Sequence, residues 1–449
     1  MPQAQAETAA AVPGLAVRRT ATRLLGAVID ARTSLDGLTD DDHGHPHYLA
    51  LDARDRALTR AILMAALRHR VTIERLIAAR LERPLPAAAR SLSHLLHVGA
   101  AQILFLDVPD SAAVDLAVSL AKSDPRSRRF AGLVNAVLRE LARRKDRALP
   151  AVLAGTVDAP DWFRERIEQA YDAQTAARIF AMHRLEAPID LTVREDPAQW
   201  ARQLGGIELP TGSVRLGRFD GPLTDLPGFA EGRWWVQDAA AALPARLLGD
   251  VDDLAVADLC AAPGGKTAQL AAAGARVTAV DISASRLRRM KANLARLGLH
   301  ADLVEADILT WRPPAPFDAV LLDAPCSSTG TVRRHPDVPW TKRIEDVRKL
   351  ASLQRRLLDA AVGLVRPGGR IVFSNCSLDP IEGEELMAAF LDEGHGVELD
   401  PPAPGELPGA DGFIDAGGWL RTTPADLPLA TPRLSGLDGF FAARLRRTG

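Results

Sequence analysis

Apolar and polar residues follow one another along this chain in two rhythms. From Val17 to about Arg147 apolar residues recur at i, i+3 and i+4. ATRLLGAVI, RDRALTRAILMAALRHRVTIERLIAARL, AARSLSHLLHVGAAQILFL and FAGLVNAVLRELARR all carry the pattern. That spacing puts one apolar stripe on each helix, so an all-α domain of several helices is expected. Asp52 and Ser111 are placed to cap helices, and Pro84, Pro86 and Pro109 punctuate boundaries. From Arg233 the rhythm changes. AVADLC, RVTAVDI, ADLVEAD, FDAVLLDAP and RIVFSNC read as strands, with helices over Gly264–Ala273, Ser283–Leu297 and most of Pro339 to Val365. GFFAARLR reads as a closing edge strand. Strands alternating with helices predict an α/β fold with a doubly wound, mostly parallel sheet. Between the two halves, 149–160 reads as a linker, DWFRERIEQAYDAQTAARIFAMHRL as two helices and IDLTVRE as a strand. The expected organisation is a disordered tail over 1–14, an all-α domain over 15–148, a linker and small α+β subdomain expected to bind RNA over 149–232, and the α/β domain over 233–449.

Composition narrows the class. A chain of 449 residues exceeds one ordinary core. With 47% hydrophobic and 25% charged residues it is of globular type, and no apolar run is long enough to span a bilayer. The start MPQAQAETAAAVPGLAVRR lacks the basic-then-apolar order of a secretory signal, so a cytoplasmic location is expected. The net charge of −2 hides an asymmetry: residues 1–150 hold 22 Lys and Arg against 16 Asp and Glu, the remainder 33 against 41. A basic front suits a polyanionic partner. Arg126, Arg128 and Arg129, then Arg143, Arg144, Lys145 and Arg147, are available to grip phosphates, or to complement helix C-termini. His43, His45 and His47 read as a polar loop, and no metal site is expected.

The chemistry gathers at predicted strand ends, where open α/β sheets bind ligands. Cys260, Cys326 and Cys376 are the only cysteines, and each lies at or just past such an end. They form no disulfide framework and no zinc-type CxxC pair. The first strand runs into Cys260-Ala261-Ala262-Pro263-Gly264-Gly265-Lys266, whose glycines let backbone approach a ligand at a helix start. The spacing fits neither a phosphate-binding P-loop nor the dinucleotide fingerprint. The next two strands end in Asp281 and Asp307, and recurrent acids there point to a nucleoside-bearing cofactor. FDAVLLDAPCSSTG then delivers Asp323 and Cys326 together.

Two resemblances follow from these residues. RDRALTRAILMAALRHR and GLVNAVLR at 132–139 resemble the NusB-like RNA-binding domain. CAAPGGKT, the Asp281 and Asp307 positions, DAPCSSTG followed by RRHPD, and SNCSLDP are similar to the RNA cytosine-carbon-5 methyltransferases. WWVQDAAAALPARLL also fits, IDLTVRED less well. Together they identify the chain as a member of the bacterial RsmB/Sun-type family, which methylates a cytosine of 16S rRNA. The resemblance implies a Rossmann-like domain using S-adenosyl-L-methionine, with RNA as partner before full small-subunit assembly, in a monomer. It implies Cys376 as nucleophile, Cys326 in product release and Asp323 at the ring edge. It implies cofactor contacts from Cys260 through Lys266, Asp281, Arg286, Asp307 and Asp323, and RNA contacts from Arg333, Arg334 and His335. The chain departs from the family pattern at Asn375, where Thr is usual, and at Glu382-Gly383, where Glu-Asn is usual. Rival readings are the same chemistry on tRNA, a non-catalytic RNA-binding factor, and a dinucleotide dehydrogenase. The last leaves two thiols unexplained.

Overall fold

The computed structural model describes residues 12–449 apart from 87 and 220; the tail expected over 1–14 lies, up to residue 11, outside the described residues. The chain divides into two compact units, one ending at Arg164 but also holding His335–Lys342, the other holding the rest.

The first unit is helical: α1 (Leu15–Ala31), α2 (Leu35–Leu38), α3 (Pro46–Leu49), α4 (Ala53–Arg68), α5 (Arg70–Ala78), α6 (Arg90–Phe105), α7 (Asp110–Ser123) and α8 (Ala131–Ala154). The α1 stripe, Val17, Ala21, Leu24, Leu25 and Val28, is fully buried, as its spacing requires. α6 is buried over most of its surface, and a Cβ on its Gly99 would meet Leu138 of α8 at 2.7 Å. That glycine marks close helix packing. Asp52 caps α4, its carboxylate accepting from Asp55 N at 2.7 Å, whereas Ser111 lies inside α7, which starts at Asp110. The linker expected from 149 begins later, because α8 continues through Pro150 to Ala154. A proline removes one ladder bond, but Leu149 and Val152 still pack on the core and carry the last turn.

The sequence pattern puts His335–Lys342 in the α/β half, yet the segment belongs to the helical unit. Its short helix, α15 after those placed below, covers Val338–Thr341. Trp340 packs on the helical core, under the Arg70 guanidinium at 5.5 Å from the ring centroid. Leu35 N donates to Asp337 Oδ2 at 3.0 Å, and Trp162 Nε1 donates to Pro339 O at 2.9 Å.

The second unit opens within α9 (Asp161–Ala170) and α10 (Ala173–His183). A small antiparallel sheet follows, of β1 (Asp190–Val193), β2 (Ile207–Glu208), β3 (Val214–Arg215) and β4 (Trp234–Val236), in the order β2-β3-β1-β4, with α11 (Pro197–Gln203). The large sheet takes β5 (Ala255–Leu259), β6 (Arg276–Asp281), β7 (Asp302–Glu305), β8 (Phe317–Asp323), β9 (Val365–Asn375), β10 (Val397–Leu399), β11 (Leu420–Thr422) and β12 (Phe440–Arg447). Its helices are α12 (Leu243–Arg246), α13 (Gly265–Ala272), α14 (Ala284–Leu297), α16 (Ile344–Leu364) and α17 (Glu384–Asp392). The order is β10-β12-β9-β8-β5-β6-β7, with β11 paired to β12. β5 through β9 run parallel, and β12 joins antiparallel.

Alternate residues of the central strands face opposite cores. Val320 and Leu322 of β8 pack toward Leu357, Leu358 and Ala361 of α16, while Ala319 and Leu321 pack toward Leu243 and Leu270. β12 is a correction to the expected edge strand. It lies between β9 and β10, and Phe440–Leu445 are all buried. An unbroken apolar run marks a strand covered on both faces; its one polar member, Arg444, spends its charge on Asp400 and Glu406.

A buried ionic knot joins the two sheets. The Arg215 guanidinium forks onto Asp190 at 2.6 and 2.7 Å, and both side chains are completely buried. Arg215 also donates to Leu434 O and Gly436 O. Arg334 bridges Asp238 at 2.6 Å and Asp438 at 2.8 Å, and Arg333 donates to Ser435 O and Leu437 O. Removing one partner of a buried pair strands the other's charge, which costs about 3–5 kcal/mol. Arg215→Ala is therefore expected to lower the stability of this unit by about that amount, read as a lower urea midpoint in tryptophan fluorescence.

Candidate active site

The site is built where β8 and β9 end side by side. Their parallel register sets Asp323 opposite Ser374. Ser374 Oγ donates to Asp323 Oδ1 at 3.0 Å, and Ala324 N to Ser374 O at 2.8 Å. Beyond these positions Cys326 and Cys376 converge, Sγ to Sγ 3.3 Å. Gly330 N donates to Cys376 O at 2.9 Å, and Gly439 N to Gly330 O at 2.9 Å. A Cβ on Gly330 would lie 2.0 Å from Gly439 O, so glycine is required at this crossing.

The two loops are stitched together by Glu382 and Asn375. Glu382, fully buried, accepts from Ser327 N at 2.9 Å, from the Ser327 hydroxyl and from Gln354 Nε2 at 2.9 Å. Burial raises its pKa. Asn375 Nδ2 donates to Glu382 O at 2.6 Å, and Asn375 Oδ1 accepts from Ser377 N at 3.0 Å. The residue that departs from the family pattern therefore closes the turn that carries Cys376. Gly383, the second departure, leaves room for Arg421, because a Cβ there would meet its guanidinium at 2.7 Å.

The three thiols have different electrostatics. Burial, reinforced by Asp323 and Asp281, pushes Cys260 up to about 12. The hydrogen bond with Cys376, then burial, holds Cys326 well above an ordinary thiol. The same bond lowers Cys376. Of the three, Cys376 is the one whose thiolate is favoured, with the Cys326 thiol donating to it.

On the opposite lip, Cys260 takes a left-handed turn at φ 59°, Gly264 stands at φ 101°, and α13 starts at Gly265. Asp281, nearly fully buried, accepts from Ala262 N at 3.1 Å and Ser283 N at 2.9 Å. Arg286 lies 3.4 Å from Asp281 and donates to Ala262 O. Asp307 is exposed, and its Oδ1 accepts from Leu309 N at 3.0 Å. Ile282, an unexpected member, stands 70% exposed beside Asp281. Lys266 reaches across to Asp323 Oδ2 at 2.7 Å and lies 5.1 Å from the Phe440 ring centroid. Beneath the loop, Asp258 accepts from the Thr267 hydroxyl, and burial raises it to about 7.

The residues expected to contact RNA, 333–335, also have partners within the protein. Arg333 and Arg334 are spent inside the ionic knot, and burial lowers Arg333 to about 10. His335 Nδ1 pairs with Asp36 at 2.9 Å in the helical unit. Charges paired internally are poor phosphate grips. In the helical unit, a cavity of about 850 Å³ is lined by Arg80, Arg143, Arg144 and Arg147 with Glu140 and Asp146. Arg143 and Arg144 share Glu140, and Lys145 pairs with Asp110 at 2.8 Å.

Comparison with known proteins matches residues 245–446 to the family described as 16S rRNA methyltransferase RsmB/F, and residues 15–143 to the NusB family. The Ribosomal RNA small subunit methyltransferase B of Serratia proteamaculans is 35% identical over 96% of this chain and 98% of its own length. That of Xanthomonas campestris pv. campestris is 40% identical over 88% and 92%. The chain belongs to the RsmB/F methyltransferase family. A methyltransferase homolog from Pyrococcus horikoshii, solved by crystallography, shares 28% identity at a TM-score of 0.51, covering 63% of this chain and 93% of its own. Membership makes the chain an RNA methyltransferase with a methyl donor of the S-adenosylmethionine type. The lip just described fits such a donor. A glycine turn at a helix start, an acid at the end of β6, an exposed acid after β7 and an exposed isoleucine suit its aminoacyl, ribose and base parts.

As pH rises through a lowered thiol pKa, the thiolate fraction climbs early. Iodoacetamide is therefore expected to alkylate Cys376 before Cys326 and Cys260, with an inflection at lower pH than that of an ordinary thiol. Cys326→Ala removes the donor to Cys376, so its inflection should move up; peptide mapping after timed labelling reads both.

Proposed function

We propose that this enzyme methylates carbon 5 of a cytosine in 16S rRNA through a covalent bond from Cys376 to carbon 6 of the ring. The observation that carries the reading is the thiol pair: two sulfurs 3.3 Å apart beside Asp323, with Cys376 lowered and Cys326 raised. Carbon 5 of cytosine is a weak nucleophile, and addition of a thiolate at carbon 6 makes it enamine-like. S-adenosylmethionine, when bound, supplies an electrophilic methyl group on a sulfonium.

The protein's own groups divide the remaining work. The Cys376 thiolate forms the sulfur–carbon-6 bond. Asp323, held by Lys266 and Ser374, is partly open and presents its carboxyl group to the ring edge, where charge builds during attack. Once carbon 5 carries the methyl group, its proton leaves to a base, the carbon–sulfur bond breaks and Cys376 departs as thiolate. The states of the thiols suggest how Cys326 serves this release. While Cys376 is free, its hydrogen bond and charge hold Cys326 protonated. When Cys376 is tied up as a thioether both influences vanish, the Cys326 pKa falls, and the thiolate left once its proton has gone to solvent takes the carbon-5 proton. The matched NusB region and the Arg80–Arg147 cavity support contact with RNA phosphates by the helical unit.

Labelled S-adenosylmethionine and undermodified 16S rRNA, followed by mapping of 5-methylcytosine, test the reading. Transfer to a single cytosine of that RNA is expected; transfer confined to tRNA, or none, overturns it. Cys376→Ala should reduce transfer to background, while Cys326→Ala should accumulate a covalent protein–RNA adduct that survives denaturing electrophoresis. An adduct formed by Cys376→Ala instead would reverse the two roles.

A further inference from the structure

The turn that carries Cys376 is gripped from outside at each of its next three residues. Arg421 Nη1 donates to Ser377 O at 2.6 Å. The Tyr171 hydroxyl donates to Leu378 O at 3.0 Å. Arg166 forks onto Asp379, Nε to Oδ2 at 2.8 Å and Nη2 to Oδ1 at 2.6 Å. Two of these three groups come from α9 and the residue that follows it, more than 200 residues earlier in the chain.

The grip is built rather than incidental. The Asp379 side chain is 4% exposed, and Arg166 is 23% exposed. Asp379 Oδ1 also accepts from Ile381 N at 3.1 Å, so the carboxylate fastens the turn from both sides. The bond to Asp379 raises the Arg166 pKa, and burial pushes the Tyr171 phenol up to about 12, which keeps it a hydrogen-bond donor throughout the working range. A planar guanidinium on a carboxylate sets angle as well as distance. The turn already has its internal bonds, Ser377 N donating to Asn375 Oδ1 and Leu378 N to Thr329 Oγ1. Those bonds close the turn on itself and onto the Cys326 loop. Arg166 and Tyr171 add a fixed external frame.

We propose that Arg166 and Tyr171 are positioning residues that hold the Cys376 thiolate at its attack geometry, Arg166 acting through Asp379 and Tyr171 through the Leu378 carbonyl. The inference rests on the reading of Cys376 as nucleophile. Misplacing a reacting atom by about 1 Å costs on the order of 100-fold in rate, and a turn freed on its outer side loses this restraint. Methyl-donor binding, which uses the opposite lip, is left untouched.

Arg166→Ala, Arg166→Lys and Tyr171→Phe in the full chain test it. Four readouts are needed: kcat and KM for RNA, donor affinity by calorimetry, the pH profile of Cys376 alkylation by iodoacetamide, and the melting temperature. Arg166→Ala is expected to lower kcat by about 10- to 100-fold, with donor affinity unchanged and a shifted alkylation profile. Arg166→Lys keeps the charge but loses the fork and should recover part of kcat; Tyr171→Phe loses one bond and should show a smaller fall. The proposal is overturned if kcat stays at the wild-type value, or if it falls only with the folded fraction while the alkylation profile is unchanged. Absence of transfer by the wild type would instead sink the cytosine reading. In that case the alkylation profile alone decides: a shift in Arg166→Ala supports the frame, and an unchanged profile overturns it.

Discussion

The parallel pairing of β8 with β9 is the constraint on which the site depends. With Asp323 opposite Ser374, both strands end at one level, and the loops that leave them carry Cys326 and Cys376 to within 3.3 Å. A slip of one residue would turn alternate side chains to the other face. It would bury Asp323 against the apolar core and part the thiols. The register is secured by apolar packing on both faces, Val320 and Leu322 on one side and Leu321 on the other. The hydrogen-bonded thiol pair, with its divided ionisation, is a consequence of that packing.

A second layer fixes the loops once the strands are in place. Gly330 and Gly439 bring two backbones together, and a side chain at either would hold them apart. Glu382 collects donors from the Cys326 loop and from α16, while the arginine–aspartate knot anchors residues 434–438 to the small sheet. These groups touch no substrate in the proposed chemistry. They convert a pair of strand ends into a site with defined distances, in keeping with the demand that reacting groups be placed to a fraction of an ångström.

The departures from the family pattern are explained by this layer. Asn375 uses both ends of its amide to close the turn around Cys376, and Gly383 makes space for Arg421, which forks onto Glu384 and holds Ser377 O. Most of these contacts are invisible in a motif, because Glu382 lies 7 residues from Asn375 and Arg421 lies 44 from Ser377.

The sequence by itself determined what depends on local periodicity and on residue type at strand ends. The helical stripes, the alternation of strands and helices, the glycine turn before Lys266, and the acids and thiols at strand ends were all legible, because burial with a period of 3.6 or 2 leaves its trace in the order of residues. Tertiary structure decided what depends on partners distant in the chain. It placed β12 inside the sheet, assigned 335–342 to the helical unit, and gave Arg333 and Arg334 partners in a buried knot. It also gave the three cysteines different acidities. A charge or a thiol takes its character from what stands within a few ångströms of it, and for these residues those neighbours are brought by the fold.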